Sequence, residues 1–406
     1  MRSIAASIAV AVGLLSGGVA HGQDFRLGEW RAYALMGPPG VRERIQYVCF
    51  SGDQGLKDWL PQDGDLARYV ANEASLLSRF QLKLVNLEAT LPGLSGTAPD
   101  RRTDDVILYS LTAAGYQVAG RANNHGLDLG PEGVRYTDRR LADAGLRVIG
   151  ERTSPVFHWQ AGQSRIDISA MADVMDRPDP GHLILMLDDE SLALVKREMN
   201  GAAIRIAFVH LGSASRFVSP HEHSQVERLL DAGFDLVVCT GSHFIKGFVM
   251  ERGRPVAYGI GDHLTSISYG GADTEPIGTH LVAGFDGGRL VQIFVVPYHN
   301  DLRRGQVGPL DDPAFAQFVR TLRERSISDE SKYYGDGGAL KAMVHNVARL
   351  RLSTLTQLRP RHFVYAARIV VRQRPGWVAA AGGLLAAAVA GVVFGRRSAR
   401  LRKDKK

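Results

Sequence analysis

Cysteine is scarce in this sequence: among its 406 residues only Cys49 and Cys239 carry a thiol. Two cysteines cannot build the dense disulfide framework that small secreted domains use in place of a large core. The fold must therefore be stabilised by burial of apolar side chains. Each cysteine lies four residues before a candidate metal ligand, near the end of an apolar run. A buried free thiol is the simpler interpretation of each, although the sequence alone leaves their pairing open.

Several catalytic motifs are also missing. The sequence contains no glycine-rich phosphate-binding loop, no nucleophilic serine elbow and no recognisable Cys–His arrangement. These absences argue against a P-loop nucleotide hydrolase and against a serine or cysteine nucleophile. Any chemistry must come from carboxylates, amides and imidazoles.

The net charge of +7 and the pI of about 9.4 resemble those of a nucleic-acid-binding protein. The positive charge, however, is concentrated near the C terminus. Residues 341–375 contain Lys and Arg but no acidic residue, and residues 396–406 contain a single acid, Asp404. The preceding 23–340 is consequently acidic. An acidic domain on a basic stalk suits an anionic membrane surface better than a polynucleotide, so we expect the cell membrane and not nucleic acid as a partner.

The N terminus has the features of a secretory signal peptide. Arg2 precedes an apolar run over residues 4–15, and Ala20-His21-Gly22 offers small residues at both positions that a signal peptidase requires. The run is short for a membrane span, although an uncleaved anchor is the alternative. We predict that residues 1–22 are removed and that the chain after them is exported.

The C terminus has the features of a membrane anchor. Residues 376–395 contain no charged side chain, which is the length a helix needs to cross a bilayer, and Trp377 lies at one edge as an interfacial residue would. The basic tail 396–406 should stay in the cytoplasm. The sequence therefore predicts a single-pass protein of the cell membrane, with a basic juxtamembrane stalk at 341–375 and its globular domain on the periplasmic side.

Three segments between these ends share one pattern, an amphipathic helical stretch that ends in Ala-Gly and is followed by a short apolar run. The glycines are Gly115, Gly145 and Gly233. Glycine just after a helix supplies a left-handed cap, and helices that alternate with buried strands indicate a layered α/β domain. Later apolar runs separated by turn residues favour antiparallel pairing in a second sheet. We place this domain at 45–300 and a closing helix and linker at 301–340.

Polar residues capable of binding metal follow the ends of five buried runs. They are Asp53, Glu88, the segment Asn123-Asn124-His125, His210 and His243. The ends of strands in α/β proteins meet at one edge, where sites are built. This mixture of oxygen and imidazole ligands suits Mn, Fe or Zn. Phosphoester hydrolysis by two metals needs a bridging carboxylate, further ligands on each side and a group that meets the leaving oxygen, and the set contains all three.

The motifs resemble a known family. The segments that carry the resemblance are FSGD (50–53), NLEATL (86–91), RANNHGLDLGPEG (121–133), VHLG (209–212), DAGFDLVVCTGSH (231–243) and GRPVAYGIGDHL (253–264). In order and spacing they are similar to the CapA-type capsule or poly-γ-glutamate synthesis proteins, which are relatives of the calcineurin-like metallophosphoesterases. The resemblance implies a layered metallophosphoesterase-like domain with two mixed sheets flanked by helices, to which the C-terminal transmembrane helix is added.

The resemblance also implies a role for each matching residue. By it, Asp53 binds the first metal, Glu88 bridges, Asn124, His210 and His243 complete the second metal, and His125 serves as general acid or transition-state donor. Where the family has His-Pro-His, this chain has His243-Phe244-Ile245, so one first-metal ligand is missing. Asp262 or His263 is the substitute available in sequence; otherwise the site holds one metal, or none tightly.

Three functions follow from these observations. The first is a part in the synthesis or export of an anionic envelope polymer, by resemblance poly-γ-glutamate or a related capsule. The second is a stand-alone envelope hydrolase of a phosphomonoester or phosphodiester, so the sequence leaves open whether the chain is an enzyme. The third is a catalytically silent anchor that binds polymer or other membrane subunits. The sequence does not define the substrate, the native metal or the oligomeric state.

Overall fold

The computed structural model describes residues 22–55, 63–95, 98–179, 181–211, 218–265, 277–301 and 306–326. The apolar N-terminal run, the predicted stalk, the predicted transmembrane helix and the basic tail lie outside these residues. Within the described ranges, no helix is both long and apolar enough to cross a membrane. Signal peptide, anchor and compartment therefore stay predictions.

Sixteen strands and six helices make up the described part of the chain. The strands are β1 (Asp24–Leu27), β2 (Trp30–Met36), β3 (Gln46–Gly55), β4 (Leu82–Leu87), β5 (Val118–Gly120), β6 (Arg147–Ile149), β7 (Phe157–Ala161), β8 (Ser164–Ala172), β9 (Ile204–His210), β10 (Leu236–Thr240), β11 (Phe248–Glu251), β12 (Arg254–Ala257), β13 (Asp262–Thr265), β14 (Ile277–Asp286), β15 (Arg289–Asp301) and β16 (Gln306–Pro309). The helices are α1 (Asp63–Leu77), α2 (Ala98–Ala114), α3 (Gly130–Asp143), α4 (Asp189–Glu198), α5 (Pro220–Asp231) and α6 (Asp312–Arg325).

The strands form two mixed sheets. The larger has ten strands, with the order β1-β2-β15-β14-β3-β4-β5-β6, while β13 pairs with β3 and β16 pairs with β15. The smaller has six, in the order β11-β12-β10-β9-β8-β7. Parallel strands form one half of the larger sheet, β3-β4-β5-β6, and the centre of the smaller sheet, β8-β9-β10-β12. The predicted α/β class with two mixed sheets and flanking helices is confirmed.

The two sheets pack face to face around the central core. The rings of Phe50 on β3 and Phe208 on β9 lie 5.4 Å apart, centroid to centroid, across this core. The outer face of the larger sheet packs on α1 and α2, whereas the outer face of the smaller sheet packs on α4 and α5. The result is a helix-sheet-sheet-helix sandwich, because each sheet has two apolar faces to bury.

Alternation along the central strands places the two cysteines in different layers. Val48 and Phe50 face the central core, while Cys49 between them faces the helices on the outer side. On β10, Val238 faces the central core and Cys239 faces the opposite outer layer. Both thiols are free and buried. They cannot pair because the two sheets lie between them, so the simpler interpretation is confirmed.

The predicted helix ends are present. Gly115, Gly145 and Gly233 follow α2, α3 and α5 with φ angles of 86°, 81° and 95°, which is the left-handed region that glycine enters without strain. Helix α5 begins with a capping box, in which the Ser219 side chain accepts from the backbone N–H of Glu222 and the Glu222 side chain accepts from the backbone N–H of Ser219.

The packed unit includes elements on both sides of residues 45–300. Strands β1 and β2 extend the larger sheet beyond β15. Helix α6 lies in the segment predicted to hold a closing helix, and its Phe315, Phe318 and Leu322 join the central core. Their spacing of three and four residues puts them on one face of the helix.

Candidate functional site

The candidate site lies where parallel strands of both sheets end. In the larger sheet, Asp53 on β3 is in register with Asn86 on β4, and Glu88 directly follows β4. In the smaller sheet, His210 at the end of β9 is in register with Thr240 at the end of β10. Because the sheets face each other, the residues after these strands converge at one end of the sandwich.

Asp53 connects the two sheets. It is 1% exposed, and its Oδ1 accepts a hydrogen bond from Asn86 Nδ2 at 2.6 Å while its Oδ2 accepts from the backbone N–H of Gly241 at 2.8 Å. His210 Nδ1 lies 3.7 Å from Oδ1, and His243 Nδ1 lies 3.5 Å from Oδ2. Burial alone would raise the pKa of Asp53, but its contacts with His210 and His243 lower it to about 2. Asp53 is therefore ionised at neutral pH.

Glu88 faces three imidazoles. Its Oε1 lies 3.7 Å from His125 Nε2 and 3.9 Å from His210 Nε2, and its Oε2 lies 3.8 Å from His243 Nδ1. The side chain is almost fully buried, yet Oε1 has no hydrogen-bond partner. A buried carboxylate oxygen without a partner is costly, which points to a ligand beyond the side chains around it.

Asn124 has a second unpartnered oxygen. Its Nδ2 donates to Asp176 Oδ2 at 3.2 Å, while its Oδ1 is buried without a partner. Asp176 also donates its backbone N–H to the Asn124 carbonyl at 3.4 Å. Asp176 thus binds the amide nitrogen, and the amide oxygen stays without a hydrogen-bond partner among the described residues.

His125 forms a dyad with Asp128. Their Nδ1 and Oδ2 atoms are 2.9 Å apart, and the backbone N–H of His125 donates to Asn123 Oδ1 at 3.2 Å. The imidazole is about one-fifth exposed, at 19%. With Nδ1 held by Asp128, the other ring nitrogen, Nε2, is turned towards Glu88.

His243 and Asp262 form the opposite side of the site. His243 has a φ of 59°, an unusual backbone conformation for a non-glycine residue, and its Nδ1 lies 2.8 Å from Asp262 Oδ1. Asp262 on β13 is in register with Asp53 on β3. Ligand atoms of Asp53, His243 and Asp262 all lie within 4.8 Å of one another, close enough to hold one metal ion.

Three carboxyl groups, those of Asp53, Glu88 and Asp262, lie near two imidazoles, those of His210 and His243, and they raise the pKa of both imidazoles. Burial alone would lower the pKa of His243, but the charges of Glu88, Asp262 and Asp53 outweigh it and raise the pKa to about 10. Burial raises the pKa of Asp262 to about 6, although His243 opposes that change. Burial would likewise lower the pKa of His210, and contact with Asp53 raises it instead. The carboxylates thus attract cations, and without metal they hold protons on the imidazoles.

His263 lies outside this site although it is adjacent to Asp262. Its Nε2 is 2.6 Å from Glu73 Oε1 and its Nδ1 is 2.8 Å from Gln54 Oε1. Tyr116 also donates its hydroxyl to Glu73, at 2.7 Å. Consecutive residues of a strand point to opposite faces, so Asp262 faces the site and His263 faces the outer core. Of the two substitute ligands, the structure brings only Asp262 to the site.

These residues fit divalent metal ions. Ligand atoms of Asp53, His243 and Asp262 lie within 4.8 Å of one another, and Glu88 lies 3.9 Å from His210 and 3.8 Å from His243. Glu88 and Asn124 each have a buried side-chain oxygen without a protein partner. Oxygen and nitrogen ligands of this kind suit Mn, Fe or Zn.

Three residues of the site were not anticipated. Asn86 donates to Asp53, Asp128 holds His125, and Asp176 holds Asn124. Asp128 could have been predicted, because it lies three residues after His125 in the segment RANNHGLDLGPEG (121–133) that carries the family resemblance. Asp176 follows β8 in a segment without a motif, so no local pattern could identify it.

Comparison with known sequences identifies relatives over the region that contains this site. The family described as bacterial capsule synthesis protein PGA_cap matches residues 48–266, which is more than half of the chain. A "probable polyglutamine synthesis accessory protein" of Mycobacterium tuberculosis is 29% identical over 284 residues, which cover 60% of this chain and 70% of that protein.

Two solved structures align with part of the chain at low identity and low TM-score. A hypothetical protein of Thermus thermophilus is 14% identical, covers 63% of this chain and 100% of its own, and has a TM-score of 0.42. A 5′-nucleotidase of Candida albicans is 9% identical, covers 77% of this chain and 60% of its own, and has a TM-score of 0.41.

Proposed function

This chain belongs to the bacterial capsule synthesis protein family PGA_cap, and from that premise we propose that it acts in the synthesis or export of an extracytoplasmic anionic polymer through a metal-dependent hydrolytic site. A capsule or a poly-γ-glutamate-type polymer is the product class that the family description supports. One observation carries the hydrolytic part of the proposal. Asp53 and Glu88 of the larger sheet lie 3.5 to 3.9 Å from His210 and His243 of the smaller sheet, and Glu88 and Asn124 each have a buried oxygen without a protein partner.

The residues divide into two groups of ligands. Asp53, His243 and Asp262 would hold one divalent ion, with Asp262 in place of the ligand that Ile245 does not supply. This proposal moves His243 to the first metal from the second, where the family resemblance places it. Asn124 and His210 would hold a second ion, and Glu88 lies between the groups, near both His210 and His243. Bound divalent ions would polarise a phosphoryl oxygen and make water nucleophilic at neutral pH.

His125 is placed to handle the proton of the leaving group. Asp128 accepts the hydrogen bond from Nδ1, which fixes the ring and leaves Nε2 on the side of Glu88. A protonated Nε2 can give its proton to the oxygen that leaves as the P–O bond breaks. This step requires a phosphoester substrate, either a monoester or a diester.

Hydrolysis of model substrates by the full chain, purified in detergent, tests the proposal. We expect p-nitrophenyl phosphate or bis(p-nitrophenyl) phosphate to be cleaved after loading with Mn²⁺ or Zn²⁺, and His125→Ala to lower kcat by about 100-fold or more, the range typical of a lost proton donor. His223→Ala is the matched control. It removes another histidine that also lies near carboxylates, but these are Glu227 and Glu251, which are not among the candidate site residues. A loaded chain that binds two ions but cleaves neither compound would instead favour the silent, polymer-binding anchor.

We also propose that the chain is anchored in the cell membrane with this site on the periplasmic side. The basic segment 341–375, the uncharged segment 376–395 and the basic tail support this placement. Other membrane subunits of a polymer-synthesis complex are the partners that such an anchor would meet. A hydrolase that works independently of a polymer is the alternative, and it would act on soluble phosphoesters in the same compartment.

A further inference from the structure

Arg121 is the largest fully buried side chain among the described residues. It directly follows β5, and its backbone N–H donates to the Ile149 carbonyl at 2.8 Å. A buried guanidinium loses the hydration that normally stabilises its charge, so its presence in a core requires compensating contacts. Those contacts connect two segments of the site.

The guanidinium donates to two backbone carbonyls. Nη1 donates to the carbonyl of Ala89, the residue after Glu88. Nη2 donates to the carbonyl of Gly126, the residue after His125, at 3.4 Å. One rigid, planar group therefore joins the Glu88 segment to the His125 segment, and a guanidinium can do this because its donors point in fixed, diverging directions.

Neighbouring side chains strengthen the same junction. Thr90 Oγ1 donates to the His125 carbonyl at 2.8 Å, and Asn123 Nδ2 donates to the Leu87 carbonyl at 2.8 Å. These two bonds also run between the segments that contain Glu88 and His125. Arg121 differs from Thr90 and Asn123 in being charged.

The positive charge of Arg121 lies near Asp138 and Glu151, which are not among the candidate metal ligands. Its Nε lies 3.9 Å from Asp138 Oδ1, and Glu151 lies beside Asp138. Burial, reinforced by the charge of Asp138, raises the pKa of Glu151 to about 8, so that at neutral pH Asp138 supplies more of the negative charge than Glu151 does, and Asp128 adds to it. Asp138 thus faces the guanidinium at Nε, while Nη1 and Nη2 donate to the two carbonyls.

We propose that Arg121 is a positioning residue that fixes the Glu88 segment against the Asn124-His125 segment, and so sets the distance between the ligands of the site. This inference rests on the proposed function, since it assigns Arg121 a role towards metal ligands and a proton donor. Arg121 itself touches neither metal nor substrate. Replacing Arg121 should leave all proposed ligand side chains in the sequence unchanged, but the Glu88 segment and the Asn124-His125 segment should lose two of the hydrogen bonds that hold them together.

The test measures Mn²⁺ affinity, melting temperature and hydrolysis for the full chain and two methionine variants. Arg121→Met keeps much of the side-chain volume and removes the donors. Arg254→Met is the matched control, because Arg254 Nη1 also donates to two backbone carbonyls, those of Leu230 and Phe234, which precede β10, whereas the site lies at the other end of that strand. We expect Arg121→Met to weaken Mn²⁺ binding by about 10- to 100-fold, the usual effect of losing a group that orients a ligand, and to lower kcat more than it changes KM. Arg254→Met should lower the melting temperature only.

A merely structural role predicts a different outcome. Loss of stability by itself does not change the affinity of the molecules that remain folded, so a structural Arg121 would give the same pattern as Arg254. Mn²⁺ affinity and kcat of Arg121→Met within threefold of the wild type would overturn the proposal. If Arg121→Met does not fold, Arg121→Lys replaces it. That variant keeps the charge but offers one ammonium to two separate carbonyls, so its affinity should fall between the value expected of Arg121→Met and that of the wild type, and a wild-type affinity would again overturn the proposal.

The same measurements separate this inference from the proposed function. A wild-type chain that binds Mn²⁺ but cleaves no phosphoester contradicts hydrolysis, while the affinities of the two methionine variants still decide the role of Arg121. A wild-type chain that binds no Mn²⁺ overturns both.

Discussion

At the scale of single residues, the site is a set of mutually compensating charges. Asp53, Glu88 and Asp262 lie against His210 and His243, and each group shifts the pKa of its neighbours. A metal ion must displace the protons that the imidazoles hold. Metal affinity consequently depends on how many carboxylates face the ion.

Glu88→Gln should lose more metal than His125→Ala. Glu88 faces both His210 and His243, so its charge acts on both proposed groups of ligands, whereas His125 is proposed only as a proton donor and is one-fifth exposed, at 19%. We expect Mn²⁺ or Zn²⁺ content, measured on purified full chain, to fall strongly in Glu88→Gln and to remain near the wild-type value in His125→Ala. Equal content in both variants and the wild type, with no metal-dependent rise in melting temperature, would refute the metal site.

At the scale of elements, the loop after β10 determines where His243 lies. Gly241 opens this loop with a φ of 86°, and its backbone N–H donates to Asp53. Lys246 closes the loop, where its buried ammonium pairs with Glu222 of α5. A loop fixed at both ends can hold His243 at a φ of 59°.

Gly241→Ala should damage the site beyond its effect on stability. A Cβ at Gly241 would lie 2.9 Å from the His210 ring, so the ring would have to move. Gly253→Ala is the control, because Gly253 has a φ of 76° and nothing within 4 Å of the added Cβ. We expect both variants to lose about 1–2 kcal/mol of unfolding free energy from backbone strain, measured by chemical denaturation. Only Gly241→Ala should lose metal affinity; the same affinity in both would show that His210 is not a ligand.

At the scale of the whole molecule, the Glu151–Asp138 pair makes stability depend on pH. The folded chain raises the pKa of Glu151 to about 8 from an ordinary value of 4.5, so it binds this proton more tightly than the unfolded chain does. The resulting stabilisation is complete below pH 4.5 and is lost as the pH rises through about 8.

Glu151→Gln should remove this dependence, because an amide stays neutral at every pH. In chemical denaturation with chelator present, we expect the wild type to lose roughly 1–3 kcal/mol more unfolding free energy than the variant between pH 5 and pH 8. Taking the difference between the two proteins cancels the other titrating groups. Parallel curves would show that Glu151 is ionised at neutral pH, and its charge would then add to that of Asp138 beside Arg121.

The predicted anchor concerns the whole chain as well. The full chain should sediment with membranes, and a chain that ends at residue 340 should be recovered soluble from the periplasm, because the span and the basic stalk are gone. Fractionation with an antibody against the folded domain measures both. A shortened chain that stays with the membrane, or that aggregates, would contradict the proposed boundary.

The layers of the fold, and most of the residues that gather at the candidate site, could be predicted from the amino-acid sequence. Helix ends at Gly115, Gly145 and Gly233 and the apolar runs between them were readable because capping and periodicity are local properties. Asp53, Glu88, Asn124, His210 and His243 were readable for a similar reason, since each follows a buried run.

Which residues lie next to one another could be learned only from the folded chain. Asp262 lies at the site and His263 does not. Asp262 is in register with Asp53 on β3, and because side chains alternate along β13, His263 points to the opposite face. The folded chain also revealed Asp176 and Arg121, whose roles depend on contacts with segments distant in the chain. Such contacts leave no periodic trace in the sequence, because a side chain's partners across a fold are set by how the sheets pack and not by its own neighbours.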